Sequence, residues 1–248
     1  MSAQVLALPG GVMPAAIRYE PLIAALDGQV QLDVKDLEVY SGEEPPPDYS
    51  IAMEIEGLAR FADSLGLKRF HLLGYSGGGF VGLAFAGAHP DRLKSLALFE
   101  PAGIPGPLTA EEAELRAALR RELDGKSGPE FMRAFTTLQV KAGVELPRMQ
   151  GAPPPGLSNR PRGIGAMMAA FEAHPFERDS LRRWRFPVFF AYGDRTAIHQ
   201  EVWAGVLSRL LPDIHIRRFE GLHHFVPPAE IYNNDHVREL RELWARTD

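Results

Sequence analysis

The stretch Arg69-Phe70-His71-Leu72-Leu73-Gly74-Tyr75-Ser76-Gly77-Gly78-Gly79-Phe80-Val81 constrains this chain more than any other. A short apolar run, Phe70 to Leu73, meets a serine flanked by glycines. It then passes at once into a helical pattern carried on by Val81, Phe85 and Ala88. A strand that turns directly into a helix needs a very tight backbone, and glycines two residues before and after the serine remove the Cβ atoms that would clash. Gly74-x-Ser76-x-Gly78 therefore reads as a nucleophile elbow, with the serine on a strained turn. Five residues alone are a weak pattern, and the plainer reading is a glycine-rich turn whose serine caps a helix. The strand before it and the helix after it favour the elbow.

The remaining chain supplies a matching frame. Gln4 to Leu8 reads as a buried strand ended by Pro9-Gly10-Gly11. A helix follows with Ile17, Leu22, Ile23 and Leu26 inward, and Gln31 to Val39 alternates like a less buried strand. Ser50 is placed to cap a helix with Ile51, Ile55, Leu58, Ala62 and Leu65 on one side, closed by Gly66. Leu93 to Phe99 is a further apolar run, ending at Glu100-Pro101. This alternation, with central runs too apolar for a wet face, predicts a mostly parallel sheet flanked by helices.

The pattern changes after Pro101. Thr109-x-x-Glu112 is a capping box ahead of a stripe of Leu115, Leu119 and Leu123. Pro129 opens a helix with Phe131, Phe135 and Leu138, residues 146–162 read as irregular, and a third helix is expected from Gly163 to Ala173. No strand is expected from Gly103 to Arg183, so residues 103–183 are read as an inserted helical cap on a core of residues 1–102 and 184–248. The sheet pattern resumes at Pro187 to Tyr192, then a helix with Trp203, Val206 and Leu207, a last strand Asp213 to Phe219, and a terminal helix with Val237, Leu240 and Trp244 inward.

Composition excludes several chemistries. With no cysteine, disulfides, thiolate metal sites and a cysteine nucleophile are ruled out. A net charge of −5 argues against nucleic acid. No apolar run approaches the roughly 20 residues of a membrane span, and the first ten residues lack a secretory pattern, so a cytoplasmic protein without a membrane partner is expected. Glu172, His174 and Glu177 could be imagined around a metal, but Pro175 breaks their geometry and no metal is expected. Arg116, Arg120, Arg121 and Glu122 read as the solvated face of a helix, with a basic substrate clamp as the alternative.

On the elbow at Ser76, the Pro9-Gly10-Gly11 loop and a late His-Phe after the last strand, the chain resembles the α/β-hydrolase superfamily over residues 4–101 and 186–244. The resemblance implies an α/β-hydrolase fold that begins at what is usually the third strand, so that one or two common N-terminal strands are missing. It implies a serine nucleophile at Ser76, a base after the last strand and an acid that orients it. His223 and His224 both qualify as base, and His224-Phe225 fits better. Relatives commonly carry the acid in a Gly-x-x-Asp pattern after the penultimate strand, but here Gly193-Asp194-Arg195-Thr196 puts threonine there. Glu100, ending the strand after the nucleophile helix, is the preferred acid. Asp194 is the second choice, and Asp213 and Asp235 stay open. Backbone N–H groups of Gly11 and Gly77 are the implied oxyanion hole.

The expected activity is cleavage of an ester, thioester, lactone or related acyl bond of a small apolar or aryl substrate through an acyl-enzyme, without a cofactor. Acyl transfer and C–C bond hydrolysis run on the same residues, and a hydrolase-like binding protein with little turnover is the alternative of another class. No aspartate stands at the nucleophile position, which disfavours aspartyl-ester chemistry. Other histidines (His71, His89, His199 and His215) read as structural.

Overall fold

The computed structural model describes residues 3–146 and 157–247. The two strands that read as most apolar, β3 (Phe70–Tyr75) and β4 (Leu93–Phe99), form the middle of the sheet. Around them lie β1 (Gln4–Leu8), β2 (Gln31–Val34), β5 (Val188–Gly193) and β6 (Ile214–Phe219). The order is β2-β1-β3-β4-β5-β6 and every pairing is parallel. Parallel neighbours need crossovers, and helices supply them: α1 (Ala15–Leu26), α2 (Ile51–Ser64), α3 (Gly77–Ala88) and α7 (His199–Leu210). The chain closes with the short α8 (Pro228–Ile231) and α9 (Asn234–Ala245).

Alternate residues of the four inner strands enter two separate cores. Leu6 and Leu8 of β1 join one cluster with α2, α3 and α7, while Val5 and Ala7 join the other with α1, α8 and α9. Both sheet faces are therefore covered, which is why the central strands read as continuous apolar runs. Sequence order reverses between β1 and β3. In an open α/β sheet that reversal leaves a crevice beyond the carboxyl ends of the strands, and the loops after both strands, at Pro9-Gly10-Gly11 and Ser76, meet there.

Between β4 and β5 lie α4 (Ala110–Leu123), α5 (Gly128–Leu138) and α6 (Arg160–Ala173), with no strand among the described residues. The capping box of α4 is complete, Thr109 and Glu112 each accepting from the other's backbone N–H. Residues 147–156, most of the expected irregular segment, lie outside the described residues. Helix α6 starts at Arg160, earlier than Gly163, because Pro161 suits a first helical turn. Its Phe171 stacks on Phe80 of α3 with ring centroids 4.1 Å apart, tying this block to the elbow helix.

Three local expectations are corrected. In α1 the buried stripe is Ala15, Arg18, Tyr19, Leu22 and Leu26, while Ile17 and Ile23 are 46% and 44% exposed. A helix buries positions three and four apart, and Ile17 and Ile23 fall beside that stripe. The strand expected over Gln31 to Val39 stops at Val34, and Leu37 and Val39 reach the core from an irregular segment and a 3₁₀ turn (Glu38–Tyr40). That turn is held by buried Glu54, whose carboxylate accepts from the N–H groups of Glu38 and Val39 and from Tyr49 Oη. Ser50 precedes α2 as expected but makes no side-chain capping bond. Among the described residues no helix is long and apolar enough to cross a membrane.

Candidate active site

Ser76 sits between β3 and α3 with φ 53° and ψ −117°. A non-glycine residue in that region is strained by its own Cβ and persists only where its surroundings impose it. The surroundings are tight. A Cβ on Gly74 would lie 2.5 Å from Gly78 O, and one on Gly78 would lie 2.5 Å from Pro9 O and 2.6 Å from Leu8 O. Gly78 N–H donates to Pro9 O at 3.0 Å, so the loop after β1 is locked against the elbow.

His224 is carried on the loop after β6 and is buried. Its Nε2 lies 3.2 Å from Ser76 Oγ, and its Nδ1 lies 2.6 Å from Glu100 Oε2. The Tyr75 hydroxyl donates to the His224 carbonyl, and the two rings stack with centroids 5.0 Å apart. Glu100 itself has φ 47°, so two of the three non-glycine residues with positive φ among the described residues are Ser76 and Glu100. The other carboxylate oxygen of Glu100 accepts from Gly193 N–H at 2.7 Å and from Thr196 Oγ1 at 2.5 Å.

Thr196, the residue standing where relatives put an acid, thus holds the carboxylate that arrives from the neighbouring strand. Asp194 accepts from Gly221 N–H in a turn, and Asp213 and Asp235 are paired with Arg246 and Arg238 at the surface. His223 turns away, its Nδ1 accepting from Phe225 N–H. Of the residues expected at the site, the structure brings together Ser76, Glu100 and His224, and it leaves Asp194, Asp213, Asp235 and His223 outside that chain of contacts.

Burial by itself would raise the Glu100 pKa. The hydrogen bond and charge of His224, the Thr196 hydroxyl and the Gly193 N–H outweigh it and hold the carboxyl below its ordinary value. With a depressed native pKa, the unfolded chain takes the proton more readily than the folded one. The ionised group therefore contributes stability above about pH 4.3, the ordinary glutamate value, and loses it as pH falls through the lower native value. Thr196→Val removes one of the bonds that depress it. The acid-unfolding midpoint, followed by circular dichroism, is expected to move to higher pH; an unchanged midpoint would show that the hydroxyl does not hold Glu100.

Gly11 and Gly77 line the same cavity as Ser76, and neither N–H is taken by an acceptor among the described residues. Space around Gly11 is closed by α6 and the 3₁₀ turn. A Cβ there would lie 2.7 Å from Met167 Cε and 2.8 Å from Ile164 Cγ1, and the Tyr40 hydroxyl donates to Gly11 O at 2.8 Å. The support running from Glu54 through the 3₁₀ turn to Tyr40 and Gly11 had no signature in the sequence, since these groups meet only across loops.

The cavity measures about 240 Å³ and is walled mainly by apolar side chains of α4, α5 and α6, among them Leu115, Leu119, Phe135, Met167, Met168 and Phe171. His199, expected to be structural and isolated, opens α7 at the cavity wall with its ring 4.5 Å from that of Trp203. Burial and then the nearby His224 push its pKa down to about 4, so it is neutral at physiological pH. His71 meets Ser95 in the sheet, and His215 pairs with Glu239. Glu172 is paired with Arg120, and among the described residues no three histidine or acidic side chains are grouped to hold a metal.

A family model described as alpha/beta hydrolase fold matches residues 39–226. Monoacylglycerol lipase abhd6-B of Xenopus laevis is 35% identical over 83 residues, 33% of this chain; the matched stretch spans only 25% of the lipase. Among solved structures, MenH from S. aureus superposes with a TM-score of 0.77 at 18% identity, over 99% of this chain and 94% of that one. Carboxylesterase CesB from Bacillus subtilis superposes with a TM-score of 0.65 at 20% identity, over 98% and 83%. At these identities the likeness to the two structures is one of fold.

Proposed function

The chain belongs to the α/β-hydrolase family, and on that premise we propose that it is a serine hydrolase cleaving an ester, thioester, lactone or related acyl bond of a small, largely apolar or aryl substrate. The observation that carries this reading is the run of short contacts from Ser76 Oγ to His224 Nε2 (3.2 Å) and from His224 Nδ1 to Glu100 Oε2 (2.6 Å), opening onto an apolar cavity.

A serine hydroxyl is a weak nucleophile at neutral pH, and His224 takes its proton as Oγ attacks the acyl carbon. Glu100 keeps the proton of the neutral imidazole on Nδ1, which leaves Nε2 free to accept, and then stabilises the imidazolium. Negative charge that develops on the carbonyl oxygen is met by the N–H groups of Gly11 and Gly77, the latter at the positive end of α3. His224 next gives the proton to the leaving group, and an acyl-enzyme on Ser76 remains. Water, activated by the same imidazole, releases the acid. Helices α4 to α6 act as the cap that shields these steps. The 35% identity to monoacylglycerol lipase abhd6-B over 83 residues agrees with this reaction class.

The test is chemical. A fluorophosphonate should add one equivalent at Ser76, located by mass spectrometry, and 4-nitrophenyl butyrate should give a Ser76-dependent burst of nitrophenolate. Absence of both labelling and Ser76-dependent turnover would overturn the proposal in favour of a binding protein.

A further inference from the structure

The cavity above Ser76 is walled mainly by apolar side chains, with Gln139 and His199 among the polar ones, and α4 adds the charged Glu112, Arg116 and Glu122 to its lining. Three guanidinium groups gather there. Arg178 donates to Glu112 Oε2 at 2.7 Å and to the carbonyls of Ile104 and Pro105 at 3.1 and 3.2 Å. Arg120 is paired with Glu172. Arg116 has no hydrogen bond or ion pair among the described residues. It does not project into open solvent either: a Cβ on Gly103 would lie 3.4 Å from its Nη2 and 3.7 Å from a ring carbon of Phe80.

The charges around it do not balance. Arg120, Glu122 and Glu172 are exposed, and Arg120 and Glu172 pair with each other; of the less exposed charges, Arg116 and Arg178 face Glu112 alone, an excess of one positive charge. One oxygen of Glu112 is already engaged by Arg178 and the Thr109 N–H, and the other, Oε1, has no partner and does not reach Arg116. Burial lowers the Arg116 pKa. The charge of Glu112 opposes that, and the charges of Arg178 and Arg120 add to it; the guanidinium is left partly buried with no hydrogen-bonded counter-ion among the described residues. A guanidinium presents a planar fork that fits a carboxylate.

We propose that Arg116 is an anion-recognition group and that the substrates are esters bearing a carboxylate on an otherwise apolar body, the carboxylate meeting Arg116 while the scissile carbonyl lies over Ser76. The inference rests on the hydrolase reading above for its chemistry. It replaces the solvated-face expectation at Arg116, while Arg120 and Arg121 do lie exposed on that face.

Two pairs of esters test it in the intact chain. Mono-4-nitrophenyl adipate against 4-nitrophenyl hexanoate places the carboxylate on the acyl side, and 4-acetoxybenzoate against 4-methylphenyl acetate places it on the leaving group. In at least one pair Arg116→Met should lower kcat/KM of the anionic ester relative to its neutral mate by about tenfold or more, through KM, with Arg116→Lys keeping part of the preference. Ratios unchanged in both pairs would overturn the assignment. A second arm needs no turnover: Ser76→Ala should bind 4-phenylbutyrate in calorimetry, and adding Arg116→Met should weaken it by about tenfold while 4-phenylbutanol is unaffected. Arg116-dependent binding without turnover of any ester sinks the hydrolase reading alone. Turnover with Arg116-independent binding and ratios sinks the anion site alone.

Discussion

Glu100→Gln is expected to lower kcat on a 4-nitrophenyl ester by about 10⁴-fold, and Ser76→Ala by about 10⁶-fold, values typical of serine triads elsewhere. Asp194→Asn should stay within about threefold of wild type, as a substitution outside the reacting groups does. The Glu100 effect follows from the direction of its hydrogen bonds. Gly193 N–H and Thr196 O–H both donate to Oε1. The hydroxyl could turn round, but the backbone N–H cannot, so the oxygen of the introduced amide must take the Oε1 place. Its NH₂ then faces His224 Nδ1 and must donate to it. That drives the imidazole proton onto Nε2, where it blocks acceptance of the Ser76 proton. Steady-state kinetics of the three variants check this, and an order in which Asp194→Asn costs more than Glu100→Gln would refute the assignment of the acid.

Gly78→Ala is expected to cost a large share of the stability. Its Cβ would fall 2.5 Å from Pro9 O and 2.6 Å from Leu8 O. Both are backbone atoms where β1 passes into its loop, so relief means moving the end of β1 against α3 rather than rotating a side chain. Overpacking of this kind costs about 3 kcal/mol, which in a chain of this size lowers Tm by roughly 6–12 °C. Gly165→Ala is the control. It lies inside α6 with nothing within 4 Å of the added carbon, and removing a helix glycine should raise stability by about 0.5–1 kcal/mol. Thermal unfolding of both variants measures the contrast, and a Gly78→Ala melt within a degree or two of wild type would mean the elbow is looser than its contacts imply.

Much of the fold could be read along the chain because strands and helices announce themselves locally. The apolar runs of β3, β4 and β5 and the 3.6-residue stripes of α2 and α9 come from residues a few positions apart. The errors arose where an element's exposure depends on a neighbour far away. In α1 the choice between an Ile17/Ile23 face and an Arg18/Tyr19 face is made by Tyr75 and Tyr232. The Arg18 guanidinium lies 3.6 Å from the Tyr75 ring centroid, which lets a cation occupy an apolar layer. In β2 the alternation ran on to Val39, but Glu54 of α2 captures the N–H groups of Glu38 and Val39 before a strand can use them.

What the sequence determined by itself is the parallel-sheet architecture and the strained turn at Ser76, because each depends on short-range steric or periodic rules; the His224-Phe225 position was implied by the resemblance to the α/β-hydrolase superfamily. Which carboxylate meets His224 was decided only in three dimensions. Glu100 and His224 stand 124 positions apart and touch because β4 lies beside β5, where the Gly193 N–H and the Thr196 hydroxyl turn the carboxylate toward the imidazole. The facing of Arg116 into the cavity was likewise decided there, since a lone arginine on a charged helix carries no mark of direction until α4 packs over the elbow. Local chemistry names the candidates, and the packing of distant strands and helices selects among them.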